Sequence, residues 1–209
     1  MTPMGKSGDK RQAILNAAEK TFGANGYAAT TIEQIAADAG ISKGSVYNYF
    51  RSKQDLFMEL FAQSVATDEA QVDTLLNQPI PASRKIEALL DMWFKSFEHY
   101  ERIGALFLEY WATAAREHRE GGLAATFQQM YARWRGRIAA IIEQGIDSGQ
   151  FRRELDTQWV VTGIMAMLDG LTIQAIVKTG VGVDEGFLAE FKRGLLVSLT
   201  AGAAQDDSA

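Results

Sequence analysis

The apolar positions of this chain recur three or four residues apart, the period of a helix with one buried face. Ile14, Leu15, Ala18 and Phe22 predict a first helix over about Asp9–Ala24, closed by Asn25-Gly26. Ile32, Ile35, Ala36 and Ala39 predict two turns of a second helix, opened by Thr30 and Glu33 in capping-box spacing. Gly40 ends it, because glycine adopts a left-handed conformation at little steric cost. Ser42 is an N-cap residue for a third helix, in which Val46 and Phe50 share one face and with Ile41 pack on the second. Ser52 and Asp55 form another capping-box pair, opening a long helix striped by Leu56, Phe57, Leu60, Phe61 and Val65. That helix continues through the polar DEAQVD stretch towards Leu76, and Asn77–Pro81 then carries two of the three prolines, a boundary.

The second half reads as helix throughout, with no strand-like alternation. Ile86, Leu89, Leu90, Trp93, Phe94 and Phe97 make a broad amphipathic stripe. Ile103, Leu106, Phe107, Tyr110 and Trp111 make a shorter one, and Gly121-Gly122 interrupts the chain. Leu123, Phe127, Met130, Trp134, Ile138 and Ile141 mark a long helix that ends near Gly149. From Thr157 to Val177 the only formal charge is Asp169, so this helix is apolar on every side. Such a helix is buried all round or lies in a membrane. Gln158, Thr162, Gly163, Gly170, Thr172 and Gln174 interrupt it and no second span exists, which favours burial. Phe187, Leu188, Phe191, Leu195, Leu196 and Leu199 supply a partner helix, and two such helices from each of two chains make a four-helix bundle. Leu168, Leu171, Phe187, Phe191 and Leu195 are the expected dimer contacts.

Two short helices separated by a tight turn, Thr31–Lys53, constitute a helix-turn-helix. In its second helix Gly44 and Asn48 face away from Val46 and Phe50, with Ser45 and Tyr47 on the flanks. A helix that enters a major groove needs such a face, small at its N-terminal end and polar beyond. Lys43, Ser45 and Asn48 reach base edges or phosphates, Gly44 admits the backbone close to the duplex, and Tyr47 and Lys53 hold phosphate oxygens. Thr31 and Tyr49 complete the expected DNA-contacting set. An ordinary helical hairpin with a polar outer face is the alternative.

The run GISKGSVYNYFRSKQDLF resembles the DNA-binding signature of the TetR family of bacterial one-component transcriptional regulators. The Gly40-Ile41-Ser42 turn, Gly44, Tyr47-Asn48-Tyr49-Phe50 and Ser52-Lys53 followed by Asp55-Leu56-Phe57 all match in order and spacing. ILNAAEKTFGANGY and Thr30-Thr31-Ile32 match the preceding helix and the start of the next. The likeness covers roughly residues 9–60; beyond it the resemblance is to architecture alone. It implies an all-α protein with a three-helix head on a larger C-terminal helical bundle, about nine helices in total, dimerising through the last two. It further implies repression, and a ligand site in the C-terminal part whose residues cannot be transferred.

Charge sharpens this picture. The formal net charge is −5, yet residues 1–53 carry seven Lys and Arg against four Asp and Glu, a balance of +3 that leaves −8 on the remainder. A basic head on an acidic body is the asymmetry of a protein that meets phosphate at one end. The chain has no cysteine, which excludes disulfides, thiolate metal sites and thiol nucleophiles. Residues 1–8 read as a flexible arm without the apolar core of a signal peptide, 9–53 as the DNA-binding domain, 54–202 as the ligand-binding and dimerisation domain, and 203–209 as a disordered tail.

Trp93, Phe97, Phe107, Tyr110, Trp111, Tyr131 and Trp134 crowd the middle helices. Individually they read as core; together large rings on an irregular bundle leave apolar spaces of the kind that bind small molecules. Met165 and Asp169 join them as expected ligand contacts, and Glu109, Gln129, Met167 and Gln174 as further soft or polar ones. The expected effector is apolar or aromatic and largely uncharged. His99 and His118, the only histidines, lie in charge-rich stretches, and no phosphate loop, HExxH or nucleophile elbow occurs. No cofactor and no metal are expected, and an all-α enzyme or carrier of hydrophobic molecules is the competing class. The reading is a cytoplasmic homodimeric regulator that binds a palindromic operator in double-stranded DNA and leaves it when an effector binds, with the helix from Ser52 as lever.

Overall fold

The computed structural model describes residues 5–95, 97–116 and 122–200. The start of the arm, His118 and the C-terminal tail lie outside the described residues, as do the side chains of Val65, Phe97 and His99. Among the described residues there are nine helices and no strand: α1 (Gly5–Ala29), α2 (Ile32–Asp38), α3 (Lys43–Tyr47), α4 (Lys53–Leu76), α5 (Ala82–Lys95), α6 (Phe97–Arg116), α7 (Gly122–Asp147), α8 (Thr157–Ile176) and α9 (Glu185–Thr200).

The chain divides into two compact units, Met1–Thr67 with Glu101–Phe127, and Asp68–Tyr100 with Gln128–Ala209. The first unit takes in more chain than the expected domain over 9–53, and aromatic packing is the reason. Phe22 and Phe57 meet edge to face at 5.5 Å, Tyr110 of α6 lies 4.1 Å from Phe57 and 4.6 Å from Phe61, and Phe61 stacks on Phe127 of α7 at 4.7 Å. The first three helices alone would cover Phe57 only on the side of Phe22 and Tyr27 and would leave it without Tyr110, and Phe61 without Tyr110 and Phe127. Exposing rings of this size forfeits roughly 1.5–3 kcal/mol each.

Helix α1 breaks at its expected end and resumes over residues 27–29. Gly26 breaks it with φ 76° and ψ 163°, a conformation open to glycine and strained for other residues. Its beginning extends four residues beyond the expected Asp9, to Gly5.

The second unit is built on Val72, Leu75, Ile86, Leu89, Leu90, Ile138, Ile141, Ile142, Val161, Ile164 and Leu188, all buried. Its polar elements are held in the same way. Lys85, almost fully buried, donates to the Leu76 carbonyl at 2.7 Å and to Gln144 Oε1 at 2.9 Å, closing the carboxyl end of α4. Arg137 grips Asp73 with two hydrogen bonds of 2.7 and 2.8 Å, and Arg133 grips Glu69 at 2.8 Å one turn earlier on both helices.

In the single chain, helix α8 is buried on one side only. Val161, Ile164 and Thr172 are buried, but Trp159 is 77% exposed and Met167 43%. By length and composition α8 is long and apolar enough to cross a membrane, the one such helix among the described residues. Its inner face belongs to the core of the second unit.

Candidate functional site

The helix-turn-helix forms almost as its residues dictate, with one shift of register. The capping box is Thr31 with Gln34, not Thr30 with Glu33: Gln34 N–H donates to Thr31 Oγ1 at 3.3 Å, and the Thr31 N–H donates to Gln34 Oε1 at 2.8 Å. Both pairs satisfy the spacing, and burial separates them. Thr30 is 1% exposed, and its hydroxyl turns inward onto the carbonyls of Gly26 (2.7 Å) and Thr21 (3.2 Å). Helix α2 ends in a Schellman motif, with Gly40 at φ 67°, its N–H on Ala37 O and the Ile41 N–H on Ala36 O. Ser42 then caps α3, accepting from the Ser45 N–H at 3.2 Å.

Helix α3 spans only five residues, with Asn48 as its C-cap. Val46 and Phe50 are buried, so the opposite surface is fixed by packing rather than by its own preference. That surface carries Lys43, Gly44, Tyr47 and Asn48, all exposed, with Ser45 and Tyr49 half-buried at its margins and Thr31 exposed at the start of α2. Ser45 Oγ lies 2.8 Å from Ser42 Oγ and so shares in the cap. Lys43 is paired with Glu33 across the turn, and its ammonium sits 5.9 Å from the centre of the Tyr47 ring. The hydrogen bond between them holds the Glu33 carboxyl below the usual range and raises the lysine. A phosphate that takes Lys43 displaces Glu33. The opposite charges ten residues apart were visible in the sequence, but only the turn brings them together.

Lys53, expected on a phosphate, is turned the other way. Its ammonium donates to the carbonyls of Tyr27 (2.7 Å), Thr30 (2.8 Å) and Ala28 (3.4 Å) and lies 4.4 Å above the Tyr27 ring. These oxygens follow the break at Gly26 and lack helical partners, so a cation at the carboxyl end of α1 satisfies them. Lys53→Met is accordingly expected to lower stability by about 1.5–3 kcal/mol, read as a drop in Tm, while the salt dependence of DNA binding keeps its slope. A slope reduced by about 1 would return Lys53 to the phosphates.

The expected ligand contacts divide between the units. Phe107, Tyr110 and Trp111 belong to the first, where Phe107 and Trp111 lie 6.0 Å apart. Tyr110 is 3% exposed and donates its hydroxyl to the Phe57 carbonyl at 3.1 Å, so it serves as core; burial pushes its phenol well above the ordinary range. Glu109 is occupied as well, accepting the Tyr27 N–H. Trp93, Tyr131, Trp134, Met165 and Asp169 belong to the second unit. There Tyr131 donates to Asp169 Oδ2 at 2.8 Å and Trp93 Nε1 donates to Thr172 Oγ1 at 3.1 Å, one turn further along α8. Burial raises the Asp169 carboxyl above its ordinary value against the lowering effect of the Tyr131 hydrogen bond. Trp134 and Met165 pack on the hydrophobic core, and Met167 and Gln174 point outward.

Of the expected dimer contacts, Leu195 is buried in its own unit's core, and Leu168 and Phe191 pack against that core. Phe187 stacks on Phe191 at 5.9 Å, and Leu171 is half-buried. The exposed residues of α8 and α9 include Trp159, Thr162, Ala166, Met167, Gly194 and Val197. A stripe of large apolar residues marks the side of a helix that its own chain covers, so within the single chain these residues serve the core.

A capped, glycine-bearing short helix, held outward by Val46 and Phe50 after a Schellman turn, defines a helix-turn-helix DNA-binding protein. Residues 14–60 match the model of bacterial regulatory proteins of the tetR family, and residues 82–193 match that of the BetI-type transcriptional repressor C-terminal domain. The chain belongs to the TetR family of transcriptional regulators. It is similar to the HTH-type transcriptional repressor KstR2 of Mycobacterium tuberculosis, 26% identical over 75% of this chain and 76% of the relative. Among solved structures it resembles the transcriptional regulator FadR of Bacillus subtilis in complex with stearoyl-CoA (TM-score 0.69, 20% identity, 91% of this chain and 98% of that one). A similar likeness links it to a transcriptional regulator of Saccharomonospora viridis in complex with choline (TM-score 0.76, 22% identity, 90% and 94%).

Proposed function

We propose that this regulator is a cytoplasmic, non-enzymatic repressor that binds a palindromic operator as a homodimer and is released when a small apolar or aromatic molecule binds its C-terminal bundle. The observation that carries the DNA half is the outward face of α3, with Lys43, Gly44, Tyr47 and Asn48 free of packing duties. Two such faces related by a twofold axis enter successive major grooves when they lie about 34–36 Å apart. The bare outer surface of α8 supports a second copy as the source of that symmetry.

The effector half draws on Trp93, Tyr131, Trp134 and Met165, with Asp169 as acceptor for a ligand donor group. Bound stearoyl-CoA and bound choline in two similar structures support a small-molecule ligand. To reverse a 99:1 population the ligand must favour the released state by about 5.5 kcal/mol. Helix α4 is the proposed lever, unbroken from Lys53 to Leu76 and held at its far end by Lys85, Arg133 and Arg137.

Selection from random duplexes tests the reading: one palindromic motif is expected, and recovery of no motif overturns it. Applied to Asn48→Ala, the same selection is expected to relax preference at one position of each half-site, a loss of about 1–3 kcal/mol of discrimination. An unchanged motif removes Asn48 from the base contacts.

A further inference from the structure

The segment that joins α1 to the helix-turn-helix is held from outside, and one holder comes from a distant part of the chain. The break at Gly26 leaves the Tyr27 N–H without a helical acceptor, and the Glu109 carboxylate of α6 takes it across 82 residues of sequence. The fit is close: a Cβ on Gly26 would sit 2.9 Å from Glu109 Oε1. The half-buried Glu109 carboxylate takes the Tyr27 amide as its partner. The next residue, Tyr110, holds the opening turn of α4 through the Phe57 carbonyl at 3.1 Å. One turn of α6 therefore grips both the end of α1 and the start of α4. Lys53 holds the carbonyl side of the same segment, at Tyr27, Ala28 and Thr30.

We infer that Glu109 is a positioning residue for operator recognition: by holding the Tyr27 amide at the Gly26 break it ties α6 to the helix-turn-helix and sets the angle at which α2 and α3 leave α1. Sequence-specific binding by two linked heads requires that angle to be settled before contact, because a head that wanders loses entropy when it docks. Non-specific binding depends on phosphate charge and tolerates a wandering head. The inference rests on DNA binding by this family member and is independent of the effector.

The test compares the full-length protein with Glu109→Ala and Glu109→Gln, which remove the same charge while only glutamine keeps an acceptor for the amide. Two readouts apply: hydrogen exchange at the Tyr27 amide, and affinity for the selected operator against a scrambled duplex of equal length. Expected for Glu109→Ala is exchange about tenfold faster or more at Tyr27 with Leu15 and Leu56 unchanged. Operator affinity falls about tenfold while the scrambled duplex binds as before. Glu109→Gln stays within about twofold of the parent in both. Where Glu109→Ala does not fold at the assay temperature, Glu109→Asp, one methylene too short to reach, replaces it with the same expectations. Equal losses on both duplexes, equal losses for alanine and glutamine, or operator affinity untouched by alanine overturns the inference. Failure of the parent protein to distinguish operator from scrambled duplex would instead strike at the proposed function.

Discussion

Gly44→Glu is expected to abolish operator binding while leaving the protein folded. A Cβ at Gly44 meets no atom nearer than Ser42 Oγ at 4.0 Å, and φ there is ordinary, so the head accepts a side chain at this position without strain. Outside the protein the position is next to Lys43 and on the surface that faces away from Val46. Glutamate places bulk where the backbone must approach the duplex and a negative charge among phosphates. Like-charge contact in an interface costs several kcal/mol, so operator affinity should fall at least about a hundredfold. An electrophoretic mobility shift titration beside a thermal melt checks it. An unchanged melt with lost binding is the expected pair; retained binding would move the DNA surface away from α3.

Ala166→Glu is expected to separate the proposed dimer into monomers and to abolish operator binding with it. Ala166 is exposed in the single chain, on the outward side of α8 near Met167 and Thr162, so one subunit tolerates a carboxylate there. In a twofold interface the substitution occurs twice and faces its own image. Burying an unpaired carboxylate costs several kcal/mol per copy. Sedimentation velocity should show the monomer at concentrations where the parent protein sediments as a dimer, with the melt of the subunit itself retained. A substituted protein that stays dimeric would place the contact elsewhere than the outer face of α8.

Three cases show how far the residues themselves carried the reading. The stretch from Gly40 to Phe50 was legible because its signals are local. A glycine at the C′ position, a serine at the N-cap and two apolar residues four apart each act within one turn of chain. The Thr30 and Thr31 alternatives were not separable, since both stand three residues before a Glu or Gln. Only the burial of Thr30 beneath α1 decided between them. Lys53 is placed by a related effect. A lysine beside a recognition helix suits a phosphate, yet three carbonyls left open 23 to 26 residues earlier in the chain claim it first.

The aromatic residues divide along the same line. That Trp93 and Tyr110 would be covered followed from helical spacing, but what each hydroxyl or indole N–H meets, in them and in Tyr131, depends on helices far away in sequence. Tyr110 thereby became core and Tyr131 the partner of a buried carboxylate.

By itself the sequence determined the helices, the N-cap of α3 and the C-cap of α2, the basic head and the family, because helix periodicity, local capping and charge balance are properties of neighbouring residues. Tertiary structure alone decided that α6 braces the head through Glu109 and Tyr110, that Lys53 faces inward, and that α8 leaves a bare apolar side. Those outcomes depend on which unsatisfied amide, carbonyl or ring lies within about 3–5 Å of a given side chain once the helices have packed, and no spacing rule along a chain encodes that distance.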